Sequence, residues 1–70
     1  MRPTRHAAAR MTERNISLAE AASVIENPEV TFMDPKGNPC YIREIKGRRI
    51  KVVVASDDED LVITVIDLDT

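Results

Sequence analysis

The sequence is poor in the residues that staple small proteins or build inorganic sites. Its 70 residues include one cysteine, Cys40, and one histidine, His6. A single cysteine forms no intramolecular disulfide, and one Cys and one His far apart in the chain make no ligand pair for a transition metal. There is no tryptophan, and Phe32 and Tyr41 are the only aromatics, which leaves little material for a base-stacking platform of the kind that grips single-stranded nucleic acid. No apolar run reaches the length of a membrane span, and the first fifteen residues hold four arginines and no apolar stretch, unlike a secretory leader. These absences predict a cytoplasmic chain without membrane, metal or cofactor, its thiol free and half-buried in a reducing compartment.

A chain of this length has room for one domain, residues 1–70, and such a domain buries roughly 60% of the surface its unfolded form exposes. A disulfide and a metal are hard to build from these residues, so a partner is the easier staple, either another protein or a second copy in a homodimer. Net charge is −2 and the pI about 5.3, against the strongly basic balance of a general nucleic-acid-binding domain. The distribution is uneven. Residues 1–14 carry four arginines against Glu13, and residues 43–51 carry Arg43, Lys46, Arg48, Arg49 and Lys51 against Glu44. The acidic excess sits in Asp57, Asp58, Glu59, Asp60, Asp67 and Asp69. Two local basic patches are therefore candidate anion sites.

Good helix formers from Arg5 to Glu13, with Ala7, Ala8 and Met11 on a narrow apolar face, predict a first helix. Ser17 and Glu20 have the form of a capping box opening a second helix over 18–26, with Leu18, Ala21, Ala22 and Ile25 as its buried face and Asn27–Pro28 as its stop. β-Branched residues then take over. Strands are expected over 30–33, 40–45, 48–55 and 61–67, with a Pro-Gly turn at 34–38, a Lys46–Gly47 hairpin turn and an acidic loop at 57–60. That loop lacks the glycine and terminal glutamate of a calcium loop.

The hairpin turn sets a register: Ile45 opposes Arg48, Glu44 opposes Arg49 as an ion pair, Arg43 opposes Ile50 and Tyr41 opposes Val52. One face, covered by the helices, takes Tyr41, Ile45, Ile50, Val52, Val54, Ile63 and Val65. The other takes Ile42, Val53, Val62 and Ile66 beside Arg49, Lys51 and Thr64. An open face of that composition is a candidate interface for a protein partner or a second copy.

His6 is the one side chain of a type that titrates near neutral pH, and helical spacing puts it on one stripe with Arg10, Glu13 and, at the edge, Arg14. Guanidinium groups beside an imidazole suit a phosphate ester, although a solvated helix face with Arg10 paired to Glu13 has the same pattern. The hairpin cations Arg43, Arg48, Arg49 and Lys51 suit contact with a phosphate backbone, or else are ordinary surface charge. If the two basic patches meet at one end of the sheet, they form one phosphate site; if they lie apart, they are two unrelated surfaces.

The runs HAAARMTERNIS, ENPEV, YIREIKGRRIKVVV and VITV together resemble the family called domain of unknown function 4258, over nearly the whole chain. Members are small bacterial or phage proteins often standing near the RelE-like, barnase-like group of folds, which includes metal-independent ribonuclease toxins. The resemblance implies that His6, Arg10 and Arg14 correspond to the histidine and arginines of the family's first-helix motif, and Thr64 to its late threonine. It implies an α+β fold with two short N-terminal helices on one face of an antiparallel sheet of three to four strands, lacking the strand that opens RelE toxins. On the enzyme reading His6, Arg10 and Thr64 are catalytic, Arg14, Arg43, Arg48, Arg49 and Lys51 bind RNA, and an antitoxin is a further partner. On the second reading the chain is a non-catalytic module that binds through Ile42, Val53, Val62 and Ile66.

Overall fold

In the computed structural model, which describes residues 1–69, the chain runs β1 (Arg2–Pro3), α1 (Arg5–Glu13), α2 (Leu18–Glu26), β2 (Val30–Met33), β3 (Pro39–Ile45), β4 (Arg48–Ala55) and β5 (Asp58–Asp67). The fold is α+β: two N-terminal helices packed on an open five-stranded mixed sheet of order β1-β5-β4-β3-β2. Helix α1 lies against β5, and α2 against β3 and β4. Among the described residues no helix is long and apolar enough to cross a membrane.

Local chemistry explains the helix ends. In the corner between the helices, Asn15 takes a positive φ of 54°, a conformation that asparagine tolerates better than most residues. The Ile16 amide then returns to the Met11 carbonyl at 2.8 Å and the Asn15 amide to that of Thr12 at 3.3 Å. This is the paired hydrogen-bond pattern of a Schellman end, and its customary apolar contact is available because Met11 and Ile16 are both buried in the core. Ser17 closes its capping box in both directions, taking the Glu20 amide at 3.0 Å and giving its own amide to the Glu20 carboxylate at 2.8 Å. Those bonds, the Ser17 amide foremost, hold the Glu20 carboxyl below the usual carboxylate range. The buried face of α2 is Ala21 and Val24, with Ile25 packed at its edge, whereas Leu18, expected inside, is 53% exposed at the helix start.

The β3–β4 hairpin has the register expected of a two-residue turn, Ile45 opposite Arg48 and Tyr41 opposite Val52. Lys46 and Gly47 both adopt positive φ, 52° and 84°, the pattern of a type I′ turn whose twist matches the strands. Asp34 organises the 34–38 turn by accepting the amides of Lys36 at 2.9 Å and Asn38 at 2.8 Å.

The sheet departs from the expected one at three places, all around β5. An opening strand does exist: Arg2 and Pro3 pair in parallel with Leu61 and Val62, which makes the sheet five-stranded and mixed rather than antiparallel. The acidic stretch is not a loop, since only Ser56 and Asp57 turn and Asp58 already belongs to β5; Arg2 pairs there with Asp58 and with Asp60. Finally, the β4–β5 register slips, with Val53 opposite Thr64 but Val54 opposite Val62. The extra residue, Ile63, is accommodated by a β-bulge, so alternation breaks. Val62, expected on the open face, is 0% exposed and joins Ala7, Met11, Val24, Ile50, Val52, Val54 and Val65 in the core under the helices. Ile63, expected in that core, stands outside its buried cluster.

Candidate functional site

Thr4 sets the position of α1. Its amide donates to the Val62 carbonyl at 2.9 Å, its hydroxyl donates to the Ile63 carbonyl at 2.9 Å, and the same oxygen caps the helix by accepting the Ala7 amide at 3.0 Å. One side chain therefore ends β1, starts α1 and ties the first helical turn to the bulge. Thr4→Ala removes the cap and the tie together, a loss of about 1 kcal/mol for the cap alone. In a domain of this size that lowers Tm by roughly 4–8 °C; thermal unfolding followed by circular dichroism checks it, and an unchanged Tm would count against this role.

From that anchor α1 runs beside β5. β1 covers only Leu61 and Val62, so among the described residues the outer edge of β5 carries no strand from Ile63 onward, and the polar stripe of α1 faces it. His6 Nε2 lies 3.1 Å from Thr64 Oγ1. His6, Arg10 and Arg14 line a groove of about 500 Å³ whose other wall is Ile63, Thr64, Val65, Ile66 and Asp67. The sequence places Thr64 on the face away from the helices, beside Arg49 and Lys51. The ladder keeps Thr64 there, opposite Val53, and at the bare edge of β5 its hydroxyl also reaches His6.

At the far end of the groove Arg48 spans three elements. Its guanidinium donates to the carbonyls of Arg14 and Asn15, the latter at 2.7 Å, and lies 3.4 Å from the Asp67 carboxylate. A cation on the last carbonyls of α1 complements the negative end of the helix dipole. Arg48 thus closes the corner after α1 against β5, and does not project into the groove as a free cation.

The other hairpin cations are drawn elsewhere. Arg43 donates to the Asn27 carbonyl at 2.8 Å, and Lys46 pairs with Glu20 at 3.7 Å. Arg49 pairs with Asp69 at 3.0 Å, not with the expected Glu44, and its hydrogen bonds hold the Asp69 carboxyl below the usual carboxylate range. Lys51 rests over the Phe32 ring, 5.3 Å from its centroid. The structure therefore gathers His6, Arg10, Arg14 and Thr64 into one groove and leaves Arg43, Arg49 and Lys51 outside it.

On the face away from the helices, Ile42 is half-buried, Val53 is buried and Ile66 is 38% exposed, while Val62 has passed to the core side. Cys40, opposite Val53 and Phe32 in the ladder, is fully buried there, and burial pushes its thiol up. Among the described residues no cluster of three or more histidine, cysteine or acidic side chains is arranged to hold a metal ion.

Sequence reasoning did not find Thr4 or the bridging role of Arg48. A threonine directly before an alanine-rich helix is the N-cap signal that marks Thr4. No local pattern marks Arg48, whose partners lie 33 and 34 residues away.

The model of the family described as Domain of unknown function (DUF4258) matches residues 4–67, and the chain belongs to that family. No curated protein and no solved structure matches it.

Proposed function

We propose that this chain is a toxin-like, metal-independent ribonuclease of the RelE-like, barnase-like kind, with the groove between α1 and β5 as its active site. One observation carries the reading: His6, Arg10, Arg14 and Thr64, spread over 58 residues of sequence, converge on a single groove. The opening strand β1 adds support, because RelE toxins also begin with a strand before their helices.

In the tautomer whose Nε2–H donates to Thr64 Oγ1, the imidazole lone pair is on Nδ1. There it takes the proton of an RNA 2′-hydroxyl as the 2′-oxygen bonds to phosphorus. The same imidazolium returns that proton to the 5′-oxygen as the phosphorus–5′-oxygen bond breaks, so the products are a 2′,3′-cyclic phosphate and a 5′-hydroxyl. Arg10 and Arg14 offset the charge that builds on the pentacovalent phosphate. A groove lined by two guanidinium groups is a poor home for a divalent cation, which favours proton transfer by the imidazole.

Induced expression tests the reading: the wild type should arrest growth and fragment cellular RNA, and His6→Ala should do neither. A wild type that leaves growth and RNA intact would sink it. A second reading, a protein-binding or dimerisation module, rests on the exposed apolar side chains of β2, where Val30, Phe32 and Met33 are 51%, 42% and 68% exposed. On that reading His6→Ala changes nothing, and a charge at Phe32 shifts the apparent mass in solution.

A further inference from the structure

The three groove-lining residues on α1 and at its C-cap are evenly spaced. His6, Arg10 and Arg14 follow one another at four-residue intervals, and a rise of about 1.5 Å per residue sets them about 6 Å apart along one side of the helix. That step is comparable to the distance between neighbouring phosphates along a nucleic-acid strand. The cations are also available. Arg10 has a weak, exposed partner in Glu13 at 3.6 Å, and no ion pair engages the Arg14 side chain among the described residues. Asp67, the one carboxylate lining the groove among the described residues, is 6% exposed and faces Arg48 at 3.4 Å, so its charge is offset there. Among the described residues no Phe, Tyr or Trp lines the groove, so it lacks the usual platform on which successive bases stack. Its volume of about 500 Å³ is that of a cleft for a ligand segment of small-molecule size, such as a short stretch of one strand's backbone.

We propose that the groove reads single-stranded RNA through three consecutive phosphates laid along α1, without preference for base, with the scissile phosphate at His6 and the next two at Arg10 and Arg14. The proposal rests on the ribonuclease reading of this groove and adds its substrate class, footprint and polarity. The His6 end lies in the first turn of α1, where the helix dipole favours the phosphate that gains charge during reaction. Cleavage therefore falls at one end of the footprint and not at its centre.

The test uses 5′-phosphorylated 2′-O-methyl oligoribonucleotides of one to six nucleotides, which lack the attacking hydroxyl, titrated calorimetrically into the whole protein. Affinity should rise about tenfold with each phosphate up to the third, as charge-assisted bonds give, and then stay level within about twofold. Arg14→Ala should erase the third step, leave the first two, and flatten the dependence of log affinity on log salt by about 0.7. Glu13→Gln should tighten binding by releasing Arg10. Circular dichroism verifies that the variants stay folded, which is expected because neither altered side chain is part of the core. Affinity that climbs steadily to six nucleotides, that is flat beyond one, or that is equal for a duplex would overturn the proposal. If RNA is still cleaved in a His6-dependent way, such a result removes the three-phosphate footprint and leaves the ribonuclease reading in place. Absence of both cleavage and binding overturns the two together.

Discussion

Purified His6→Ala protein is expected to cleave RNA at least about a hundredfold more slowly than wild type, the lower end of what a positioned general acid–base supplies. The loss should not come from unfolding. His6 is exposed on α1, and its bond to Thr64 is a surface contact, so stability should stay within about 0.5 kcal/mol. Thr64 acts through His6, as a positioning residue, and a graded series separates that role from a structural one. Thr64→Val should slow cleavage and alter the pH–rate profile, because it deletes the hydroxyl that fixes the imidazole while nearly keeping the shape. Thr64→Ser should restore both. Equal loss in the Val and Ser variants would point to packing, and unchanged cleavage in His6→Ala would remove the imidazole from the mechanism.

Val62→Lys is expected to abolish folding, and Ile66→Lys to be tolerated, although strict alternation would put both side chains on the same face. Val62 is fully buried among Val54, Val65 and the underside of α1, whereas Ile66 is 38% exposed. An unpaired ammonium in that core costs several kcal/mol. A 70-residue domain has a total stability of only about 4–10 kcal/mol at the usual 0.05–0.15 kcal/mol per residue. Far-UV circular dichroism with a urea titration decides the matter: a cooperative transition should be absent for Val62→Lys and shifted by no more than about 0.5 kcal/mol for Ile66→Lys. Two variants with equal midpoints would contradict the bulge at Ile63. A change in apparent mass confined to Ile66→Lys would favour the open face as a subunit interface.

The contrast between those two valine and isoleucine positions shows what the sequence could and could not tell. Short-range chemistry was readable. The Ser17–Glu20 capping box, the Pro-Gly turn and the Lys46–Gly47 hairpin each depend on residues a few positions apart, and the β3–β4 register followed from the hairpin turn alone. The misreadings cluster at β5, where the outcome depends on partners far away in the chain. A two-residue strand has no periodicity, so β1 was invisible until its parallel pairing with Leu61 and Val62 could be seen. The bulge leaves no sequence mark either, yet it decides which of Val62 and Ile63 enters the core. The acidic residues at 58–60 look like a solvated loop, but Arg2 pairs with two of them along the edge.

The same long-range geometry governs the candidate site. Helical spacing was enough to put His6, Arg10 and Arg14 on one stripe. That Thr64 would meet them depended on Thr4, which fixes the start of α1 at Ile63, and on Arg48, which fixes its end beside Asp67. The hairpin cations looked like the richer phosphate patch because charge can be counted in a sequence and partners cannot. Arg43 and Arg48 serve helix-end carbonyls, Arg49 serves Asp69, and Lys51 covers Phe32; Lys46 and Arg48 line a second groove at the corner between the helices, where Lys46 meets Glu20, so the smaller basic patch is the one beside β5.

The chemistry of the cut end tests the central claim most directly. A 5′-labelled single-stranded RNA is incubated with purified protein in excess chelator, and the 3′ terminus of the labelled fragment is identified by mass spectrometry. Proton transfer at His6 predicts a 2′,3′-cyclic phosphate that forms with wild type and is absent with His6→Ala. A 3′-hydroxyl end, cleavage that disappears in chelator, or intact RNA with wild type would contradict it.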